Sequence, residues 1–83
     1  MPTVAIVEGV RIRFYPDEHP PPHFHAVFAE YKAQIGIQPP RVLKGSLPPA
    51  KLTLVLSWTE MRTKVLLDTW YTVLAKKTPE KIR

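Results

Sequence analysis

The stretch PAKLTLVLSWTEMRTKVLLDTWYTVLAKK, running from Pro49 to Lys77, carries no Gly and no Pro after its first residue. Its apolar residues Leu52, Val55, Leu56, Trp58, Met61, Val65, Leu66, Trp70, Val73 and Leu74 recur at the three-to-four-residue spacing of a helix face. This predicts a C-terminal helix over about 48–77, with Ser46 as the capping side chain and prolines tolerated in the first turn. Two stripes run along it: Leu54, Trp58, Met61 and Val65 on one, and Leu52, Leu56, Leu66, Trp70 and Val73 on the other. One small sheet can hardly cover both, so the helix bends, or breaks in two, near Arg62 and Thr63.

Upstream of this stretch the period changes from helical to two. Thr3 to Val7 is a β-branched apolar run, Glu8-Gly9 is a turn signal, and Val10-Arg-Ile-Arg-Phe-Tyr15 alternates, which together read as a hairpin. Val10, Ile12 and Phe14 then share a core face, while Arg11, Arg13 and Tyr15 share a wet one. Pro16 ends this strand, and Pro20-Pro21-Pro22 predicts a stiff polyproline II loop. His23 to Glu30 resumes as a strand with Phe24 and Phe28 towards the core and His23 and His25 on the other face. Glu30-Tyr31 reads as a turn, Lys32 to Gln38 as a fourth strand stopped by Pro39-Pro40, and Arg41 to Lys44 as a short edge strand. Strands over about 3–44 followed by helix give one α+β domain spanning 1–83: an antiparallel sheet of four or five strands with a long helix packed on one face.

Composition narrows the chemistry. A chain of 83 residues without cysteine has no disulfide, no thiolate nucleophile and no Cys-based zinc or iron–sulfur site, so its ligands are N and O. The net charge is +5. The tail 76–83 carries four positive groups and one negative, which is +3 of that total, so the body is barely basic. Basic residues closing a helix suit its dipole, and Lys76 and Lys77 are also candidates for nucleic-acid contact. The start lacks the basic region of a secretory signal, and the most apolar stretch, Leu52 to Trp58, is far shorter than the roughly 20 residues a bilayer requires; both features predict a cytoplasmic protein with no membrane partner.

The densest chemistry lies in Tyr15-Pro-Asp-Glu-His-Pro-Pro-Pro-His-Phe-His-Ala26. His23 and His25 are two apart on a strand, so their Cα atoms lie roughly 7 Å apart with both rings on one face. His19 is joined to them by three prolines, and Asp17 and Glu18 stand beside it. Three imidazoles with a carboxylate suit Zn²⁺, Mn²⁺, Fe²⁺ or Ni²⁺, which makes His19, His23 and His25 the candidate metal ligands. With Asp17 they are also the candidate catalytic groups, either activating water through the ion or serving as metal-free acid and base across a phosphodiester. Arg11 and Arg13 could neutralise that phosphate. A purely structural role, with each His bonded to a backbone carbonyl, is the competing reading. Trp58 and Trp70 read as core.

Three segments carry a resemblance: Met1-Pro-Thr3, the histidine loop, and Gly45-Ser-Leu-Pro48 leading into Leu54-Val-Leu-Ser-Trp58. The chain resembles the small bacterial proteins grouped as domain of unknown function family 4160. There the loop reads as an acidic residue, a His, a variable position, two prolines and His-x-His, which Asp17, His19, Pro21, Pro22, His23 and His25 match, with Pro20 at the variable position. The later helix of that family often carries Leu-His where Met61-Arg62 stand here. The resemblance implies a setting in small paired operons beside another short protein, domain of unknown function family 2442, in the manner of toxin–antitoxin modules. The expected function is therefore one half of such a two-protein module, acting as a homodimer or as a heterodimer with the operon-encoded partner. A small nuclease-like toxin and a nucleic-acid-binding regulator are the alternatives. Against a DNA reader, the basic residues Lys51, Arg62 and Lys64 of the helix are interrupted by Glu60 and Asp68.

Overall fold

The computed structural model describes residues 3–82; Met1, Pro2 and Arg83, which belong to the amino-terminal motif and the basic tail above, lie outside the described residues. Five strands come first: β1 (Thr3–Val7), β2 (Val10–Arg13), β3 (His23–Phe28), β4 (Tyr31–Gly36) and β5 (Arg41–Gly45). Two helices follow, α1 (Pro49–Met61) and α2 (Thr63–Leu74). The strands form one antiparallel sheet in chain order, so every connection is a hairpin or a loop between neighbours. This is the expected α+β arrangement with five strands.

Turn chemistry explains the hairpins. Val7 pairs with Val10 across a two-residue loop in which Glu8 and Gly9 both have positive φ, 48° and 83°. That is the turn whose twist matches the strands, and Gly9 supplies the left-handed conformation at no steric cost. The β3–β4 turn is Ala29-Glu30 rather than Glu30-Tyr31, so Tyr31 opens β4 opposite Phe28. The three prolines do not form a polyproline II rod, because the Pro20–Pro21 peptide is cis.

The period-2 pattern sorts the sheet into two faces. Val10, Ile12, Phe24, Ala26, Ala33 and Ile35 are buried and join one cluster with Val55, Leu66, Trp70 and Val73 of the helices. Trp58 stands edge-on to Phe24, ring centroids 6.2 Å apart, and holds α1 to the start of β3. The opposite face keeps Arg11, Lys32 and Lys44 exposed, with Arg13, Val27 and Gln34 half-buried. Phe28, expected in the core, is only half-buried and lies under Lys51, whose ammonium is 4.9 Å from the ring centroid and donates to the Glu8 carbonyl.

The long helix is two helices, 49–61 and 63–74, which end three residues earlier than the sequence pattern implies. Arg62 interrupts them: its N–H bonds to the Thr59 carbonyl three residues back, and a new ladder starts with Leu66 bonding to Arg62. Threonines sharpen the break. Thr59 Oγ1 donates to the Val55 carbonyl and Thr63 Oγ1 to the Thr59 and Glu60 carbonyls, back-bonds that compete with the regular ladder and bend helices. Ser46 is not the cap. Pro48 occupies that position with no side-chain hydrogen bond, and Pro49 begins the helix, where the missing N–H costs nothing.

Of the two apolar stripes, Leu66, Trp70 and Val73 are buried, with Leu52 and Leu56 half-buried. The other is divided. Trp58 turns inward, whereas Leu54, Met61 and Val65 are 44%, 80% and 48% exposed. At the far edge the tail is not free: the Ile82 N–H donates to the Val4 carbonyl at 2.7 Å, covering part of β1. No helix among the described residues is long and apolar enough to cross a membrane.

The core assignment predicts a contrast in stability. Ile35→Val, at a fully buried site, should cost about 0.5–1.5 kcal/mol in urea unfolding. Met61→Ala should change stability by no more than about 0.5 kcal/mol, since its side chain is mostly in solvent.

Candidate metal centre

The pleat of β3 brings the two histidines to one side, and the loop before it folds back over them. Phe24 and Ala26 hold one face of the strand to the core, so His23 and His25 must project from the other. The Pro22 carbonyl accepts from the Ile37 N–H, which ties the loop end to the residue after β4. Tyr15 stands edge-on to the His25 imidazole, centroids 4.5 Å apart. Between these supports the loop places Glu18 above the strand.

Glu18, His23 and His25 converge, with one donor atom of each lying within 4.8 Å of the others. His25 Nε2 donates to Glu18 Oε1 at 2.5 Å. His23 differs. Its Nδ1 lies 2.8 Å from the Pro21 carbonyl, which can only accept, so Nδ1 carries a proton and, in the neutral ring, Nε2 is the nitrogen with the lone pair. That Nε2 has no hydrogen-bond partner although the residue is only 5% exposed, and Glu18 Oε2 is 3.7 Å away. A buried acceptor without a donor is costly, and here it points at a carboxylate and a second imidazole.

The donor set fits a divalent transition ion. Two imidazoles and one carboxylate are the protein ligands of hydrolytic zinc sites and of the facial triad that binds iron, both of which leave coordination positions for water or substrate. The hydrogen bond behind the ring fits as well, because a ligating His usually donates its other N–H to a carbonyl or carboxylate, as His23 does to Pro21. The chain would hold the ion through His23 Nε2, His25 Nε2 and Glu18.

The expected site residues are thus divided. His23 and His25 come together. His23 is not on an open surface but buried, its ring 5.1 Å from that of Trp70. His19 is exposed and is not one of the three converging donors. Asp17 points elsewhere: its Oδ1 accepts from Lys76 Nζ at 2.8 Å, and this hydrogen bond and the charge of Lys76 hold the Asp17 carboxyl below the usual carboxylate value. Lys76 is therefore a tie between the histidine loop and the end of α2. Its backbone sits at φ 61°, with Lys76 bonding to Val73 and Lys77 to Thr72, the helix-closing motif in which Gly is usual. Arg13 Nε donates to Thr3 Oγ1 and, like Arg11, lies on the sheet face that carries His25. Glu18 carries no signal that would choose it over its neighbour Asp17, since both are acids on one irregular loop.

A family model for a domain of unknown function (DUF4160) matches residues 9–71. The chain belongs to that family. The match covers the histidine loop and all the converging donors of this DUF4160 protein. No curated protein and no solved structure matches it.

The tie to Lys76 has a pH signature. Asp17 titrates lower in the folded chain than in the unfolded one, so the contribution of the pair is present above the usual carboxylate value of 3.8 and is lost as pH falls through the folded value. In an NMR titration the Asp17 carboxyl should have its midpoint below 3.8 and return towards it in Lys76→Gln.

Proposed function

We propose that this protein is a small divalent-metal hydrolase in which Glu18, His23 and His25 hold the ion, working as one half of a toxin–antitoxin-like pair. The observation that carries the metal reading is the buried, unpartnered Nε2 of His23, whose other ring nitrogen donates to the Pro21 carbonyl and which faces Glu18 and His25. The ion would supply Lewis acidity to a bound water, lowering the pKa of that water towards neutrality. Around it, Trp70 shields His23, and Tyr15 fixes the plane of His25. His19, exposed and next to Glu18 in the chain, would be the group to carry a proton to the leaving group.

Metal binding is tested by thermal melting at pH 7.5 with Zn²⁺, Mn²⁺, Fe²⁺ or Ni²⁺. An ion at 100 times its Kd stabilises by about 2.7 kcal/mol, which in a domain of this size is a Tm rise of roughly 10–20 °C. The rise should disappear in Glu18→Gln and His23→Gln, persist in His19→Gln, and shrink at pH 5, where protons compete for the imidazoles. Identical melting curves with and without every ion would rule the centre out. Loss of the rise in His19→Gln would put His19 in the ligand set.

Pairing is favoured by the exposed Leu54, Met61 and Val65. Glu60 and Lys64, exposed beside Met61 and Val65, add one charge of each sign, the self-complementary combination that a two-fold contact needs, so the partner on this face is read as a second copy. Light scattering at about 100 μM should report a dimer, where an interface of about 5.5 kcal/mol is half occupied, and Met61→Glu should return it to monomer without unfolding it. A wild-type monomer at that concentration would refute the homodimer, and a complex with the operon-encoded protein would assign the face to that protein instead.

A further inference from the structure

The strands contain five basic residues, Arg11, Arg13, Lys32, Arg41 and Lys44, and none of the seven acids of the chain. The register puts all five on the same face. Arg11 pairs with Val27, which pairs with Lys32; Arg13 pairs with His25, then Gln34, then Lys44; and Arg41 pairs with Gly36, which pairs with His23. Partners in an antiparallel ladder share a face, so three rows of side chains cross the sheet, each with a cation and two containing a histidine of the metal centre. Helices cover the other face. This one is open, with a shallow groove of about 220 Å³ formed by His25, Lys32, Ala33, Gln34, Lys44 and Gly45.

Arg41 is built into this surface. A Cβ on Gly36 would lie 2.7 Å from Arg41 Nη1 and 2.9 Å from Cζ, so the guanidinium rests directly on the glycine, in the row that leads to His23. Its Nη1 donates to the Pro39 carbonyl at 2.6 Å, which fixes one edge of the fork and leaves other N–H groups for an anion. Of the expected phosphate contacts, Arg11 and Arg13 lie on this face and Lys76 and Lys77 lie beyond the end of α2. Lys76 is tied to Asp17, so the charge that matters is spread among the strands.

We infer that the open sheet face binds single-stranded nucleic acid through its phosphates, and that this is the substrate class of the metal centre, an extension that rests on the hydrolytic reading above. Five cations on a surface whose strands carry no acid fit a polyanion, with Glu18 of the neighbouring loop already paired to His25, and the Gln34 amide can hydrogen-bond an unstacked base. A single strand fits this sheet face better than a duplex, because no helix lies on it to enter a major groove. The strand would cross β4 and β5 towards His25 and His23, with Arg41 on the phosphate next to the centre.

The test is fluorescence anisotropy of a labelled 20-nucleotide RNA of mixed sequence, alongside the same sequence as single-stranded DNA and as duplex, in EDTA so that binding is read apart from the metal. Single strands should bind, with affinity falling roughly 20- to 100-fold between 50 and 200 mM salt, the dependence expected for three to five phosphate contacts. The triple variant Arg11→Gln, Lys32→Gln, Lys44→Gln should lose at least tenfold in affinity and most of the salt slope, while Lys64→Gln with Lys81→Gln should not. Arg41→Gln should weaken binding, and Gly36→Ala, which displaces the guanidinium without removing charge, should do the same. Melting curves confirm that each variant is folded. No binding of single strands at 50 mM salt and 50 μM protein, preference for duplex, or equal loss in the Lys64/Lys81 variant would overturn the proposal. Binding that persists in EDTA while no ion raises the Tm would leave the surface in place and remove the metal centre, so the two failures are distinct.

Discussion

Burial of Phe24 holds the register of β3, and nearly everything chemical in this protein depends on that register. Side chains alternate across a strand, so a slip of one residue would put His23 and His25 into the core and Phe24 into water. The ring of Phe24 is fully buried, with Phe14 at 6.0 Å and Trp58 edge-on at 6.2 Å, which makes the slip prohibitive. The same constraint extends through the ladders. Once Phe24 opposes Ile35 and Ala26 opposes Ala33, Arg13, His25, Gln34 and Lys44 have to form a row on the other side.

A second constraint acts on the loop between β2 and β3. Its far end is tied down by Ile37 to Pro22, and it is tethered by Lys76 to Asp17, so it lies over the start of β3 instead of extending into solvent. The tether is exposed and contributes little to stability, but it draws Asp17 away from the histidines and leaves Glu18 to face them. Among the described residues His23 Nε2 is the buried side-chain nitrogen left without a hydrogen-bond partner.

The helical layer shows the same division between packing and use. Val55, Leu66, Trp70 and Val73 give the sheet its cover, and Trp70 reaches far enough to shield His23, so one side chain serves both core and site. The break at Arg62 lets two short helices follow a small twisted sheet that a straight rod of their combined length could not cover, while Leu54, Met61 and Val65 remain outside.

Alternation and helical spacing are local patterns that burial must respect, so the architecture is legible in the residues alone: the Val10–Phe14 face, Phe24 against His25, the helix stripe and the weak point at Arg62. The sequence by itself also determined that His23 and His25 share a face. Tertiary structure alone decided which carboxylate joins them. Asp17 and Glu18 are adjacent acids in an irregular loop, and the fold turns Asp17 to Lys76, 59 residues away in the chain, and Glu18 to the histidines. Tertiary structure also decided that five scattered cations form one surface, since Arg11, Arg13, Lys32, Arg41 and Lys44 come from three strands whose pairing, not spacing, brings them together. Local periodicity fixes which way a side chain points from its own element; which other side chain it meets depends on contacts between elements, and those are set by the packing of the whole fold.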